Sequence, residues 1–115
     1  MDLHQKVVLA ERRIRNFVRE TPVEHSLPLS AETGANVHLK LENFQITGSF
    51  KARGALNKLL GLPPQQRESG VVAASSGNHG AGVAYGLRAL GMPGVIYVPN
   101  GASPAKVKSI ASYGA

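Results

Sequence analysis

The sequence predicts an α/β fold, an open parallel sheet with flanking helices, and three observations carry that prediction. Two short apolar runs, VVAAS from Val71 and GVIYV from Gly94, lie on either side of a segment in which Val83, Ala84, Leu87 and Leu90 recur at helical spacing. SGNHG and GMPG punctuate the junctions, so strand, helix and strand follow one another without a long loop. Runs that are apolar throughout are expected to be buried on both faces, and a helix joining two such strands implies parallel pairing with a right-handed crossover.

The remaining elements follow in order. Leu3, Val7, Ala10, Ile14 and Phe17 form a helical stripe, while Arg12, Arg13, Arg15 and Arg19 mostly lie off it and Glu11 precedes Arg15 by one turn. Thr21-Pro22 ends this helix, because the residue before a proline is pushed out of the helical region, and a polar connector is expected through Pro28 to Gly34. In NVHLKLE, Val37, Leu39 and Leu41 alternate with His38, Lys40 and Glu42, the period of a strand with one buried face. After the loop NFQITGS, helical spacing returns from Phe50 to Leu60 through Ala52, Ala55, Leu56 and Leu59, and GLPP closes the helix. Ser103-Pro104 starts a last helix, with serine as cap and proline at the first helical position. That helix runs to Tyr113-Gly114-Ala115, where a further strand is expected, so the sequence reads as one piece of a larger assembly.

Composition narrows the function classes. The chain has 115 residues, 43% apolar and 17% charged, which fits a folded globular domain too small to enclose a large substrate alone. It contains no Cys, which excludes disulfides, thiolate catalysis and every Cys-containing metal site. The start lacks the basic and apolar regions of a secretory signal, and a cytoplasmic location is compatible with this. A net charge of +6 favours anionic ligands. The basic residues are spread along the chain, however, and no nucleic-acid recognition motif accompanies them. His4, His25 and His38 have no metal-ligand spacing and read as surface or strand-face residues. Gly80, Gly82 and Gly86 read as a small-residue face that packs a helix closely on the sheet, and Lys106 and Lys108 as a solvated face.

Two segments carry chemistry. In QITGSFKARGA, Thr47 or Ser49 can cap a helix and Lys51 falls in its first turn, where the helix dipole disfavours a cation. A lysine so placed in a partly dry pocket has a lowered pKa and becomes a usable nucleophilic amine; alone, it would more simply be a solvated surface lysine. In SSGNHG, the glycines permit close backbone approach. The free N–H groups of a helix start, with the Ser75, Ser76 and Asn78 side chains, form a cradle for a carboxylate or phosphate, and plain capping is an equal reading. The spacing is neither a Walker A loop nor the dinucleotide pattern.

Taken together, KLENFQITGSFKARGA and the downstream SSGNHG resemble the serine/threonine dehydratase family of pyridoxal-phosphate-dependent enzymes, whose fold is that of the tryptophan synthase β subunit. The early TP, the YVP strand, the SPAKVKSI helix and the closing YGA resemble it too, so the similarity covers essentially the whole chain. It implies an N-terminal portion of such an enzyme. Residues 1–35 would be a helix and connector that normally packs on a larger domain, and residues 36–115 a partial α/β cofactor-binding domain.

The resemblance implies pyridoxal 5′-phosphate as cofactor, held covalently by Lys51, with Phe50 packed near its ring and Asn78 hydrogen-bonded to its phenolic oxygen. Ser75, Ser76, Gly77, Asn78 and His79 would lie on the loop that grips the amino acid's carboxylate, and Ser76 would be the second catalytic candidate, a base on the opposite face in racemizing relatives. The implied reaction is an ammonia-lyase reaction taking serine or threonine to a 2-oxo acid and ammonia, with no nucleic-acid or membrane partner and no metal ligand among these residues, any metal site of the family belonging to the half that follows. A homo-oligomer or a complementing C-terminal half is a possible assembly. The family's glycine-rich phosphate loop and the partner of the pyridine nitrogen do not occur in these 115 residues, so efficient turnover by this chain alone is not expected, and exposed apolar surface is. A racemase or β-replacement enzyme of the same fold, or a non-catalytic anion-binding module, are the competing readings.

Overall fold

A computed structural model describes residues 2–114; Met1 and Ala115, the final residue of the YGA ending, lie outside the described residues. Helix α1 spans Leu3–Ile14 and opens with a reciprocal cap: the Gln5 N–H donates to Asp2 Oδ1 (2.8 Å) and the Asp2 N–H to Gln5 Oε1 (3.2 Å). Glu11 and Arg15 form the ion pair that their spacing predicts. The helix stops three residues earlier than the stripe suggests, because Arg15–Phe17 tighten into a 3-10 turn and Val18 is extended.

The expected connector is not unstructured. It contains strand β1 (Val23–His25) and helix α2 (Leu27–Thr33), capped by Ser26 and ended by Gly34 in the left-handed conformation. β1 pairs antiparallel with β2 (His38–Lys40), Val23 opposite Lys40 and His25 opposite His38, so this ladder joins residues on either side of position 35. The alternation in NVHLKLE therefore marks a strand, but not a buried face: Leu39 is 40% exposed and the β1 residues are exposed throughout. His25 and His38 stack across the ladder with ring centroids 5.1 Å apart, the strand-face role expected of them.

The second half carries the core. α3 spans Lys51–Leu60, α4 is a short helix over Pro64–Ser69 that the GLPP signal hid, β3 is Val71–Ala74, α5 is Asn78–Leu90, β4 is Gly94–Tyr97 and α6 is Pro104–Ser112. β3 and β4 pair in parallel, Val71 opposite Gly94 through Ala74 opposite Tyr97, as the strand–helix–strand pattern predicts. Only one face of this pair is covered. Val71, Ala73 and Ile96 pack toward the helices, whereas Val72 (71%), Val95 (52%) and Tyr97 (64%) are exposed, which corrects the expectation of burial on both faces.

α3 and α5 pack on each other more than α5 packs on the sheet. Ala55 and Leu59 of α3 meet Val83 and Leu87 of α5, with Leu62, Leu90 and Met92 closing the cluster, while Ala81 and Ala84 face Ile110 of α6. The small-residue face thus serves a helix pair. A Cβ on Gly82 would stand 3.0 Å from the carbonyl carbon of Lys51, so a larger residue would require the start of α3 to give by a few tenths of an ångström. Exposed Leu3 (77%) and Val7 (58%) on α1 leave part of its apolar stripe uncovered, as expected.

Candidate active site

Lys51 is the first residue of α3, and the loop before it is tightly folded. Gly48 takes a left-handed conformation (φ 68°), and its N–H donates to the Gln45 carbonyl (2.8 Å), reversing the chain within Gln45–Gly48. Phe50, rather than Thr47 or Ser49, occupies the cap position and is already helical, while Ser49 Oγ accepts a 3.4 Å hydrogen bond from the Lys51 N–H. Serine thus contributes to the helix start from one residue further out than a standard cap. Lys51 is exposed and does not sit in a dry pocket; its ammonium lies 4.8 Å from the centroid of the Phe50 ring, a cation–π approach that gives the side chain a preferred direction.

Lys51 and Phe50 border a groove of about 410 Å³ that is also lined by β3 at Val71–Ala73 and by His79 and Val83 of α5. Lys58, two turns along α3, adds a second amine to the same groove. This size accommodates a small heteroaromatic ligand, and its composition, apolar walls with a few amines and an imidazole, suits one that is flat and anionic.

The SSGNHG segment is a loop and helix start, as its sequence indicates. Gly77 is the extended residue at the N-terminus of α5, and its N–H turns back to Ser75 Oγ (3.2 Å). Ser76, Gly77 and Asn78 line a separate cavity of about 90 Å³, together with Thr47 from the Lys51 loop and Lys106 and Ser109 from α6. Thr47 Oγ1 is buried there without a hydrogen-bond partner among the described residues. An unpaired buried hydroxyl costs roughly 1–3 kcal/mol, which a polar group entering the cavity would offset. Lys106, read from sequence as solvated, borders this cavity, and Thr47, read only as a cap, contributes its unpaired hydroxyl; a threonine upstream of a lysine gives no sequence signal for that role.

The predicted residues are therefore divided between two adjoining hollows. Lys51, Phe50 and His79 share the groove; Ser76, Gly77 and Asn78 share the small cavity; Ser75 holds the turn between β3 and α5. The first turn of α5 separates the two and contributes to both. Among the described residues no cluster of His, Asp or Glu could hold a metal ion, and no helix is long and apolar enough to cross a membrane.

The site thus sets an amine at a helix start, beside an aromatic ring, next to a strand–helix loop rich in hydroxyl and amide groups. A profile of the family described as "Pyridoxal-phosphate dependent enzyme" matches residues 14–115, and the chain belongs to that family. It is 49% identical over 112 residues to an L-threo-3-hydroxyaspartate ammonia-lyase of a Pseudomonas species, covering 97% of this chain and 35% of the relative. It is 48% identical over 107 residues to a catabolic L-threonine dehydratase of Staphylococcus aureus, covering 92% of this chain and 31% of the relative. Among solved structures, maize serine racemase superposes with a TM-score of 0.88 at 39% identity, over 96% of this chain and 33% of the racemase. The fold is thus that of the tryptophan synthase β-like pyridoxal-phosphate enzymes, and the chain spans about a third of the length of the curated relatives it matches.

Proposed function

We propose that this chain is the lysine-bearing part of a pyridoxal-phosphate-dependent ammonia-lyase that acts on a β-hydroxy amino acid, serine or threonine. The observation behind this reading is the position of Lys51 on the first turn of α3, at the mouth of a groove walled by Phe50 and His79. The names of the two curated relatives share a β-hydroxy amino acid and its loss of ammonia or water, which supports the substrate class.

The residues fit the cofactor chemically. Lys51 would supply the amine that joins its carbonyl, Phe50 would pack near the ring, and Asn78, from the adjoining cavity, would donate to the phenolic oxygen. When bound, pyridoxal phosphate supplies the electron sink for the charge that develops at the substrate Cα. Ser75, Ser76, Gly77 and His79, with the free N–H groups at the start of α5, hold the substrate carboxylate against the positive end of the helix. The Lys51 amine would take the Cα proton on its own face. The β-hydroxyl departs as water, and hydrolysis of the released unsaturated amine consumes one water and yields the 2-oxo acid and ammonia. Turnover requires the parts of the family fold outside these residues.

A racemase reading has one observation of its own. Ser76 faces the small cavity and not the Lys51 groove, which suits a base acting on the opposite face of Cα. The appearance of D-amino acid in the complemented enzyme, abolished by Ser76→Ala, would move the assignment to a racemase.

The test of the main reading is covalent. Folded protein mixed with pyridoxal phosphate and reduced with borohydride is expected to carry the phosphopyridoxyl group on Lys51 in preference to Lys6, Lys40, Lys58, Lys106 and Lys108, and to lose that preference in Lys51→Ala. Even labelling of all six lysines would instead favour a non-catalytic anion-binding module.

A further inference from the structure

The loop that delivers Lys51 is closed at its base by an ion pair. Glu42 heads the 3-10 turn before the loop, and Arg53 lies two residues after Lys51 on α3. Arg53 grips Glu42 with both prongs, Nε to Oε2 at 2.8 Å and Nη2 to Oε1 at 2.7 Å. Exposure of the two side chains is 26% and 15%, so solvent screens the pair only partly. The Thr21 hydroxyl donates to Glu42 Oε1 at 2.5 Å, and Arg53 Nη2 also reaches the Arg19 carbonyl at 3.3 Å.

A second clamp lies beside the first. Gln45 is 2% exposed, and its side-chain amide bonds both backbone groups of Arg19: it accepts from the Arg19 N–H (2.9 Å) and donates to the Arg19 carbonyl (3.0 Å). The same Gln45 oxygen accepts from the Ile46 N–H at 3.0 Å. Residues 19–21 are thereby strapped across the base of the loop, although nothing in their sequence marks them as part of a site.

We propose that the Glu42–Arg53 pair, backed by Gln45 and Thr21, is a positioning latch that fixes the 45–50 loop and so aims Lys51 and Phe50 into the groove. The inference rests on the reading of Lys51 as the cofactor lysine. Its physical basis is a division of labour. α3 is held by Ala52, Ala55, Leu56 and Leu59 whether or not the latch is closed, since all four are buried against other residues. The loop has little apolar packing: Phe50 is 59% exposed and Gly48 sits at positive φ, while the buried Gln45 and Ser49 are polar and the Tyr113 hydroxyl donates to the Ile46 carbonyl at 3.2 Å, so the turn is held mainly by hydrogen bonds. Opening the latch should therefore loosen the loop and leave the helix pair folded. The bidentate geometry also explains why arginine stands at 53, because a lysine ammonium could satisfy the charge but not the fork.

The experiment uses Glu42→Gln and Arg53→Lys in the 115-residue chain, with two readouts. Amide exchange at Ile46 and Gly48 is expected to accelerate about tenfold or more in both variants, with α5 amides and far-UV circular dichroism unchanged. The share of reductively trapped phosphopyridoxyl label on Lys51, relative to Lys58 in the same groove, is expected to fall several-fold, as a small misalignment of a reacting group costs about that much or more. An unchanged loop exchange rate, or an unchanged Lys51 to Lys58 ratio in a folded variant, would overturn the latch. If the wild-type chain itself shows no preference for Lys51, the cofactor reading fails and the positioning role falls with it, while the loop exchange data report the clamp independently. Exchange that rises in α5 as much as in the loop would reduce the pair to a general stabiliser and also overturn the proposal.

Discussion

Gly82 of α5 lies directly against the backbone of Lys51, close enough that a Cβ at position 82 would stand 3.0 Å from the Lys51 carbonyl carbon and 3.1 Å from the Ala52 nitrogen. Both neighbours are backbone at a helix start and cannot swing aside. Gly82→Ala should therefore push α5 away from α3, at a cost of about 1–3 kcal/mol for overpacking against a gain of up to about 1 kcal/mol in helix propensity. Gly54→Ala on α3 is the contrast, because a Cβ there meets nothing within 4 Å. Thermal melts should show Gly82→Ala destabilised and Gly54→Ala stabilised by about 0.5–1 kcal/mol; equal shifts in the two would refute the close-approach argument.

How much of this was legible in the sequence depends on whether the relevant force was local. Lys51 at a helix start and SSGNHG at a strand–helix junction follow from capping and punctuation, which act within a few residues, and the structure has both where the sequence puts them. The parallel pairing of β3 and β4 follows from their apolar runs. β1 and α2 were hidden because VEH and LPLSAET carry no strong period, and both are organised by the chain that follows them, β1 by its ladder with β2 and α2 by the Val37 N–H to Ser30 Oγ bond at 2.9 Å. The strap from Arg19 to Gln45 spans 26 residues, and the partnerless hydroxyl of Thr47 is defined by an absence. Neither leaves a periodic trace. The uncovered face of β3 and β4 was misread for a related reason: composition registers that Val72, Val95 and Tyr97 are apolar, but not whether anything covers them.

The Glu42–Arg53 pair sets a pH dependence of known sign. Arg53 hydrogen bonding, followed by the Thr21 hydroxyl, holds the Glu42 carboxyl down at about 2 against the opposing effect of burial. A depressed carboxylate contributes stability that is fully present above its ordinary value near 4.5 and is lost as pH falls toward 2. Denaturant melts of the wild type minus those of Glu42→Gln should give a difference that is constant from neutral pH to about 5 and shrinks below it. A difference that grows on acidification would contradict the ion pair.

Thr47→Val should separate stability from ligand capture. The valine matches threonine in shape and removes the buried oxygen that has no partner, so the folded chain should gain about 1 kcal/mol, visible as a raised melting temperature. If the small cavity serves the polar groups of cofactor or substrate, the same change should slow borohydride-trapped labelling of Lys51. A variant that is both less stable and slower to label would mean that Thr47 Oγ1 has a structural partner after all.

The open face of the β3–β4 pair offers the last prediction. Val72 and Val95 point outward at 71% and 52% exposure on neighbouring strands, with Tyr97 beside them at 64%. Contiguous apolar groups on a short two-stranded sheet attract other copies of the chain by the same burial that folds it, and the unpaired strand edges add hydrogen-bonding valence. Replacing Val72 and Val95 together by threonine keeps the β-branched shape that favours strands while making the face wettable. Sedimentation velocity across a concentration series should show the wild type associating and the double variant shifted toward monomer, with a melting temperature within a few degrees of the wild type because neither valine is in the core. Unchanged association in a folded double variant would place the adhesive surface elsewhere, and the exposed stripe of α1 at Leu3 and Val7 would be the next to alter.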